Sequence, residues 1–178
     1  MLTFVVGGAG SGKSAYAERL LAASPGPRYY VATMQVWDEE CRRRVQRHRA
    51  QRAGRGFVTL ECSRDLARLR LPAPGSVLLE DLTNLAANER YDPAGAGPYT
   101  QEAVREGWRA LHRQSPHLIV VGNELFCGGT DYAGDTAAYL KLLADLHRCL
   151  AAEADNVCEV VSGCPVYYKG KEPVYGPV

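Results

Sequence analysis

Along the chain, short apolar runs alternate with longer stretches whose apolar positions recur every three or four residues. The runs at 2–6, 28–33, 57–61, 77–80, 118–122 and 157–162 are nearly continuous in apolar residues. Strands buried on both faces have that pattern. Helical periodicity falls at 14–23, 39–52, 64–69, 101–113 and 136–154. The alternation predicts an α/β fold, a mostly parallel sheet with helices on both faces. A segment at 165–169 is expected to add an edge strand. The stretch 91–99, with Pro93, Gly95, Gly97 and Pro98, is expected to be a flexible loop. With 178 residues and neither repeats nor a linker, one domain is expected over 1–169. A tail at 170–178 is expected to fray or to dock on a neighbour.

The first strand runs into Gly7, Gly8, Ala9, Gly10, Ser11, Gly12, Lys13 and Ser14, and a helical pattern comes next. Glycine, four residues, then Gly-Lys-Ser is the phosphate-binding P-loop spacing. Glycines let backbone N–H groups approach an anion with no Cβ in the way. The positive end of the next helix adds to that attraction. Lys13 supplies a compact charge for β and γ phosphates, and the Ser14 hydroxyl is a Mg2+ ligand.

Ligands of open parallel sheets bind beyond the carboxyl ends of the strands. The fourth run ends in Glu80 and Asp81, and either carboxylate can serve as the acidic residue that reaches Mg2+. The alternative for Asp81 is an N-cap of the next segment. The fifth run ends in Asn123 and Glu124, which either orient a hydroxyl or water in the cleft or cap the loop. The guanine-reading Asn-Lys-x-Asp motif of switch GTPases is absent from the sequence.

The pattern at 39–52 begins acidic and turns basic, matching the dipole of a helix at both ends. Arg44, His48 and Arg52 are four apart and share a helical face. Flanking guanidiniums favour neutral, nucleophilic imidazole and bind phosphate oxygens as forks. Two plainer readings stand beside this one: a solvated basic face and a nucleic-acid patch, the latter lacking aromatic residues for base stacking. His112, His117 and His147 are expected to be structural or exposed.

Composition narrows the classes. The formal net charge is +1, so no global field recruits nucleic acid or anionic membrane. No apolar run approaches the roughly 18 residues of a membrane span. The first residues have no basic segment before the apolar run, and are expected to form a strand and not a signal peptide. Six cysteines are scattered without a C-x-x-C pair, so neither zinc nor a disulfide framework is expected. Reduced thiols fit a cytoplasmic protein.

Together these motifs resemble the adenosylcobinamide kinase/adenosylcobinamide-phosphate guanylyltransferase family of cobalamin biosynthesis. The P-loop, the strand Tyr30-Val31-Ala32-Thr33, the stretch Arg44 to Arg49, Leu78-Leu79-Glu80-Asp81 with Asn84, Asn123-Glu124 and the segment Ala154 to Gly163 carry the likeness. It implies a single P-loop domain that commonly forms a homo-oligomer, a trimer. It implies phosphorylation of the corrinoid adenosylcobinamide with ATP or GTP, then GMP transfer from GTP through a GMP-histidine at His48. Mg2+ would rest on Ser14 and Glu80, with Lys13 and His48 as the catalytic pair. Nucleotide contacts would fall on Gly7 to Ser14, on Ala32, Thr33 and Met34, on Arg49, Ala50, Gln51 and Arg52, and on Glu61 and Glu80. The run Leu125 to Tyr132 departs from the family pattern, which places Val-Gly, a proline-containing loop and an Arg-x-Phe-Arg-Asp helix there. The alternatives are another P-loop small-molecule kinase, which has no need of His48, and a nucleotide-dependent binding or switch module.

Overall fold

Six of the apolar runs form parallel strands, and a seventh strand extends the sheet antiparallel. The computed structural model describes residues 1–35, 43, 56–129 and 132–174. The strands are β1 (Leu2–Gly7), β2 (Arg28–Ala32), β3 (Val58–Glu61), β4 (Ser76–Glu80), β5 (Leu118–Asn123), β6 (Asn156–Val161) and β7 (Cys164–Lys169). Their order across the sheet is β3-β2-β4-β5-β1-β6-β7. Among the described residues, only the β6–β7 pair is antiparallel. The α-helices that lie wholly among the described residues are α1 (Lys13–Ala23), α2 (Leu82–Tyr91), α3 (Thr100–Gln114) and α4 (Gly134–Glu153).

Successive strand residues point to opposite faces, which makes two cores. Val5, Tyr30, Leu78, Ile119 and Val121 pack with Tyr16, Ala17, Leu20 and Leu21 of α1. Phe4, Val31, Leu79, Leu118 and Val120 pack with Leu85, Trp108, Leu111 and Leu146 of the other helices. Burial of each such leucine contributes about 2 kcal/mol, more than an exposed ion pair does, so these two layers hold the fold. A polar pin adds alignment. Glu153 of α4 accepts from Trp108 Nε1 at 3.0 Å and from Arg109 Nε at 3.0 Å, both on α3. The Arg109 fork, with Trp108 and Arg105, holds the Glu153 carboxyl down at about 2.

The helical pattern at 64–69 gives only a short 3-10 turn, Leu66–Arg68. Leu66 is wedged against α3, where a Cβ on Gly107 would come within 2.9 Å of its own Cβ. The periodicity passed over α2, because its buried face runs on into the polar Asn88 and Glu89; Asp81 caps its start. The loop at 91–99 is tied down and not free. Glu89 Oε2 accepts from Ala96 N at 3.0 Å, Asp92 Oδ1 accepts from Ala94 N at 2.8 Å, and a 3-10 turn at Gly97–Tyr99 leads into α3. The tail begins by docking on its own chain, with Lys171 N donating to Asn156 Oδ1 at 3.1 Å. Among the described residues, five cysteines are free thiols, and burial pushes the Cys158 thiol up to about 11. No described helix is long and apolar enough to cross a membrane. The pattern at 39–52 lies outside the described residues, Arg43 apart.

Candidate functional site

The turn after β1 is built around glycine. A Cβ on Gly7 would lie 2.5 Å from Ser11 Oγ and 2.8 Å from the Val160 carbonyl oxygen. Gly12, with φ +90°, sets the left-handed turn from which α1 starts. The loop is braced from the β6–β7 turn, where Gly163 N donates to Ser11 O at 2.8 Å. No side chain caps the start of α1, so its first N–H groups and its dipole are directed at whatever anion fills the loop. Lys13 is buried, 8 % exposed, and its Nζ donates to Gly8 O at 3.1 Å. Two further donors on that ammonium remain for phosphate oxygens.

The next residue meets the end of β4. Ser14 Oγ donates to Glu80 Oε1. Glu80 Oε2 and Ser11 Oγ are both buried without a hydrogen-bond partner. Burial pushes the Glu80 carboxyl above its ordinary range, and the neighbouring Asp81 adds to this, while the Ser14 and Tyr30 hydroxyls work against it. A hydroxyl and a carboxylate with an uncompensated oxygen form the hard donor set that Mg2+ prefers. A divalent cation would also favour the charged carboxylate that burial disfavours. The residues present therefore fit the metal.

Asp81 has a different job. Its Oδ1 accepts from Asn84 N at 2.6 Å, which caps α2, and its Oδ2 accepts from Asn123 Nδ2 at 3.0 Å. Its backbone is bracketed by Thr33, whose Oγ1 donates to Asp81 O at 2.8 Å and accepts from Asp81 N at 2.7 Å. Of the two carboxylates, then, Glu80 faces the P-loop and Asp81 is the cap. Asn123 spends its amide on that cap, and Glu124 N donates to Gly7 O at 3.0 Å, tying β5 to the start of the loop.

Parallel pairing brings the remaining candidates to the same edge. Ala32 stands opposite both Glu61 and Glu80, and Gly7 stands opposite Asn123. Thr33 is fully buried, Met34 half-buried and Glu61 exposed. Gly7 to Ser14, Ala32 to Met34, Glu61 and Glu80 thus share the carboxyl edge of the sheet. Arg44, His48, Arg49, Ala50, Gln51 and Arg52 belong to the β2–β3 connection and lie outside the described residues.

Two of the other histidines have packed or terminal partners. His147 is buried, its ring edge-on to Phe4 at 5.1 Å and to Phe126 at 5.4 Å, and burial drives its imidazole down to about 4. His112 Nε2 lies 3.4 Å from the amino terminus. Sequence reasoning missed Asn88, Glu89 and Asp92, which grip the turns after β2 and β3. A signal was present: Glu89 continues the Leu82, Leu85, Ala86 stripe, a carboxylate where the helical period demands an apolar residue.

A family model described as cobinamide kinase / cobinamide phosphate guanyltransferase matches residues 3–168. The bifunctional adenosylcobalamin biosynthesis protein CobU of Salmonella typhimurium is 31% identical, over 95% of this chain and 100% of that protein. The bifunctional adenosylcobalamin biosynthesis protein CobP of Pseudomonas aeruginosa is 33% identical, over 96% of this chain and 99% of that one. Among solved structures, an ATPase from the type III secretion system of pathogenic bacteria superposes with a TM-score of 0.50 at 14% identity, covering 89% of this chain and 50% of the ATPase. That likeness concerns the fold alone, a P-loop α/β domain. With the model matching nearly end to end and two relatives aligned over their full length, this enzyme belongs to the cobinamide kinase / cobinamide phosphate guanyltransferase family.

Proposed function

We infer that the enzyme phosphorylates adenosylcobinamide with a nucleoside triphosphate and then transfers GMP from GTP to the product, giving adenosylcobinamide-GDP. The observation that carries this is the meeting of Lys13, Ser14 and Glu80 at one strand edge in a chain of this family. In the first reaction the corrinoid hydroxyl oxygen bonds to the γ-phosphorus, the nucleoside diphosphate leaves and the hydroxyl proton is released. In the second, His48 displaces pyrophosphate from the α-phosphorus of GTP, and the corrinoid phosphate oxygen then displaces His48. Ser14 and Glu80 would hold Mg2+, which when bound would neutralise charge on the phosphate oxygens. Lys13 and the N–H groups of the loop orient the triphosphate, and Ala32 to Met34, Glu61 and residues 49–52 receive the guanosine. Incubation with adenosylcobinamide, ATP, GTP and Mg2+ should yield adenosylcobinamide-GDP by chromatography and mass. Absence of both the phosphorylated and the guanylylated corrinoid would overturn the assignment.

Substitutions at the metal side of the site give one test. Glu80→Gln is expected to lower Mg2+-dependent turnover by roughly tenfold to a hundredfold and to shift the Mg2+ requirement upward. Its melting temperature should hold or rise, because a buried charge with one unpaired oxygen is removed. An unchanged Mg2+ dependence, or the same defect in Asp81→Asn instead, would move the metal role away from Glu80.

The loop after β5 offers another. Leu125 and Phe126 are exposed there, and Tyr132 is 47% exposed with its hydroxyl beside Gly128. We assign this apolar rim to the corrinoid. Gly128→Ala is tolerable, because the new Cβ meets only the movable end of Tyr132, at 3.3 Å. Gly128→Ala and Tyr132→Phe are expected to leave GTP binding within about twofold, as neither variant loses a phosphate contact, and to raise the KM for adenosylcobinamide phosphate several-fold. Equal losses in calorimetry with both ligands would assign the loop to the nucleotide.

A further inference from the structure

We propose that Asn88, Glu89 and Asp92, the last turn of α2 with its C-cap, are positioning residues that set the wall of the guanosine pocket. The proposal rests on the nucleotide reading given above and concerns residues that contact no phosphate. Two turns leave the sheet at its thin edge, 33–35 after β2 and 62–65 after β3. β3 is an edge strand of four residues, three of them exposed, so neighbouring strands do little to fix the turn at its end. The end of α2 does so instead.

One side chain ties the two turns together. Asn88 Nδ2 donates to Thr33 O at 2.8 Å and to Ser63 O at 3.0 Å, and Asn88 is 8% exposed. Glu89 is 4% exposed; its Oε1 accepts from Asp65 N at 2.5 Å and its Oε2 from Ala96 N. Asp92 closes the outside, accepting from Arg64 Nη1 at 3.1 Å and from Gln35 Nε2 at 3.0 Å. The same helix is capped at its other end by Asp81, which is next to Glu80 and is held by Thr33. Thus α2 is a bar with the metal-side carboxylate at its start and the two turns at its end. Among the described residues, the last turn of α2 bonds directly to the Thr33 and Ser63 carbonyls and to neither Lys13 nor the glycines of the P-loop. Buried amide and carboxylate bonds of this kind are costly to leave unmade, and a site built to hydrogen-bond one substrate rejects an analogue that leaves those groups unpaired.

The experiment measures GTP and ATP binding by calorimetry, with KM and kcat for GMP transfer, in Asn88→Leu and Asp92→Asn. Asn88→Leu keeps the side-chain size and removes both donors. Asp92→Asn keeps the shape and removes the charge facing Arg64. Glu153→Gln, on the far pin between α3 and α4, serves as the control for general loss of stability. Asn88→Leu is expected to weaken GTP binding about tenfold and to narrow the preference for GTP over ATP by a similar factor. Asp92→Asn is expected to do so about threefold. In both, kcat at saturating GTP should stay within about threefold, and Glu153→Gln should leave the preference unchanged. If Asn88→Leu does not fold, Asp92→Asn decides. Unchanged GTP affinity and preference in the folded variants would overturn the clamp. So would equal weakening for both nucleotides that tracks melting temperature and recurs in Glu153→Gln. A parent protein that binds no GTP would instead overturn the nucleotide reading itself, and the clamp with it.

Discussion

Lys13→Ala is expected to lower triphosphate turnover by a hundredfold or more, about 2.7 kcal/mol of transition-state stabilisation. Charge develops on the bridging and non-bridging oxygens as either phosphoryl bond breaks. A fixed ammonium in a site closed to water offsets that charge without reorganising. Lys13 is already held in place, 8 % exposed, with Nζ on Gly8 O. The backbone cradle and the α1 dipole survive the substitution, since neither depends on the side chain. Nucleotide affinity should therefore fall less than turnover does. Steady-state release of diphosphate and pyrophosphate, together with calorimetry on protein of confirmed melting temperature, separates the two effects. Near-normal turnover in folded Lys13→Ala protein would remove the P-loop from the chemistry.

The loop itself was legible because its spacing is local. Gly-x-x-x-x-Gly-Lys-Ser comes after an apolar run and opens a helix, and Gly12 needs glycine for its own φ of +90°, whereas the close approach of Gly7 to the Val160 carbonyl comes from β6 and shows only in the fold. The strand order was legible only in class. Continuous apolar runs predict a parallel sheet, but nothing in them fixes β4 between β2 and β5. The residues alone left Glu80 and Asp81 open, and only the family resemblance put Mg2+ on Glu80. Both close one strand, and in the fold the packing of Ser14 on one side and Asn84 with Asn123 on the other tells them apart. α2 was hidden for a related reason. Its buried stripe ends in Glu89, and its neighbour Asn88 is also buried, so the helix serves polar partners that periodicity does not count. The loop at 91–99 carries the turn residues of a flexible segment, yet Glu89 and Asp92 tie it down through hydrogen bonds that composition does not reveal.

His48 is expected to become covalently linked to GMP. It shares a helical periodicity with Arg44 and Arg52 in the β2–β3 connection, the connection that leaves the sheet beside Ala32 and returns to it at β3. Splitting one displacement at the α-phosphorus into two gives each step a good nucleophile and a good leaving group. On this proposal the imidazole would attack as the neutral base and pyrophosphate would depart onto the P-loop. The corrinoid phosphate would then attack the same phosphorus and the imidazole would leave. The arginines would offset charge on the phosphoryl oxygens throughout. Neutral imidazole is the reactive form, so labelling should slow as the pH falls into the range where histidine takes up a proton. The measurement is intact mass after incubation with GTP and Mg2+ and denaturation, then mapping of the modified peptide. One GMP should be gained on the peptide that contains His48, in a phosphorus–nitrogen bond labile to acid. His48→Ala should show no adduct and lose guanylyl transfer by at least about a hundredfold, while phosphorylation of the corrinoid hydroxyl, which needs no covalent step, should persist. An unlabelled parent protein that still forms adenosylcobinamide-GDP would require direct in-line transfer from GTP, and the histidine would then have no place in the chemistry.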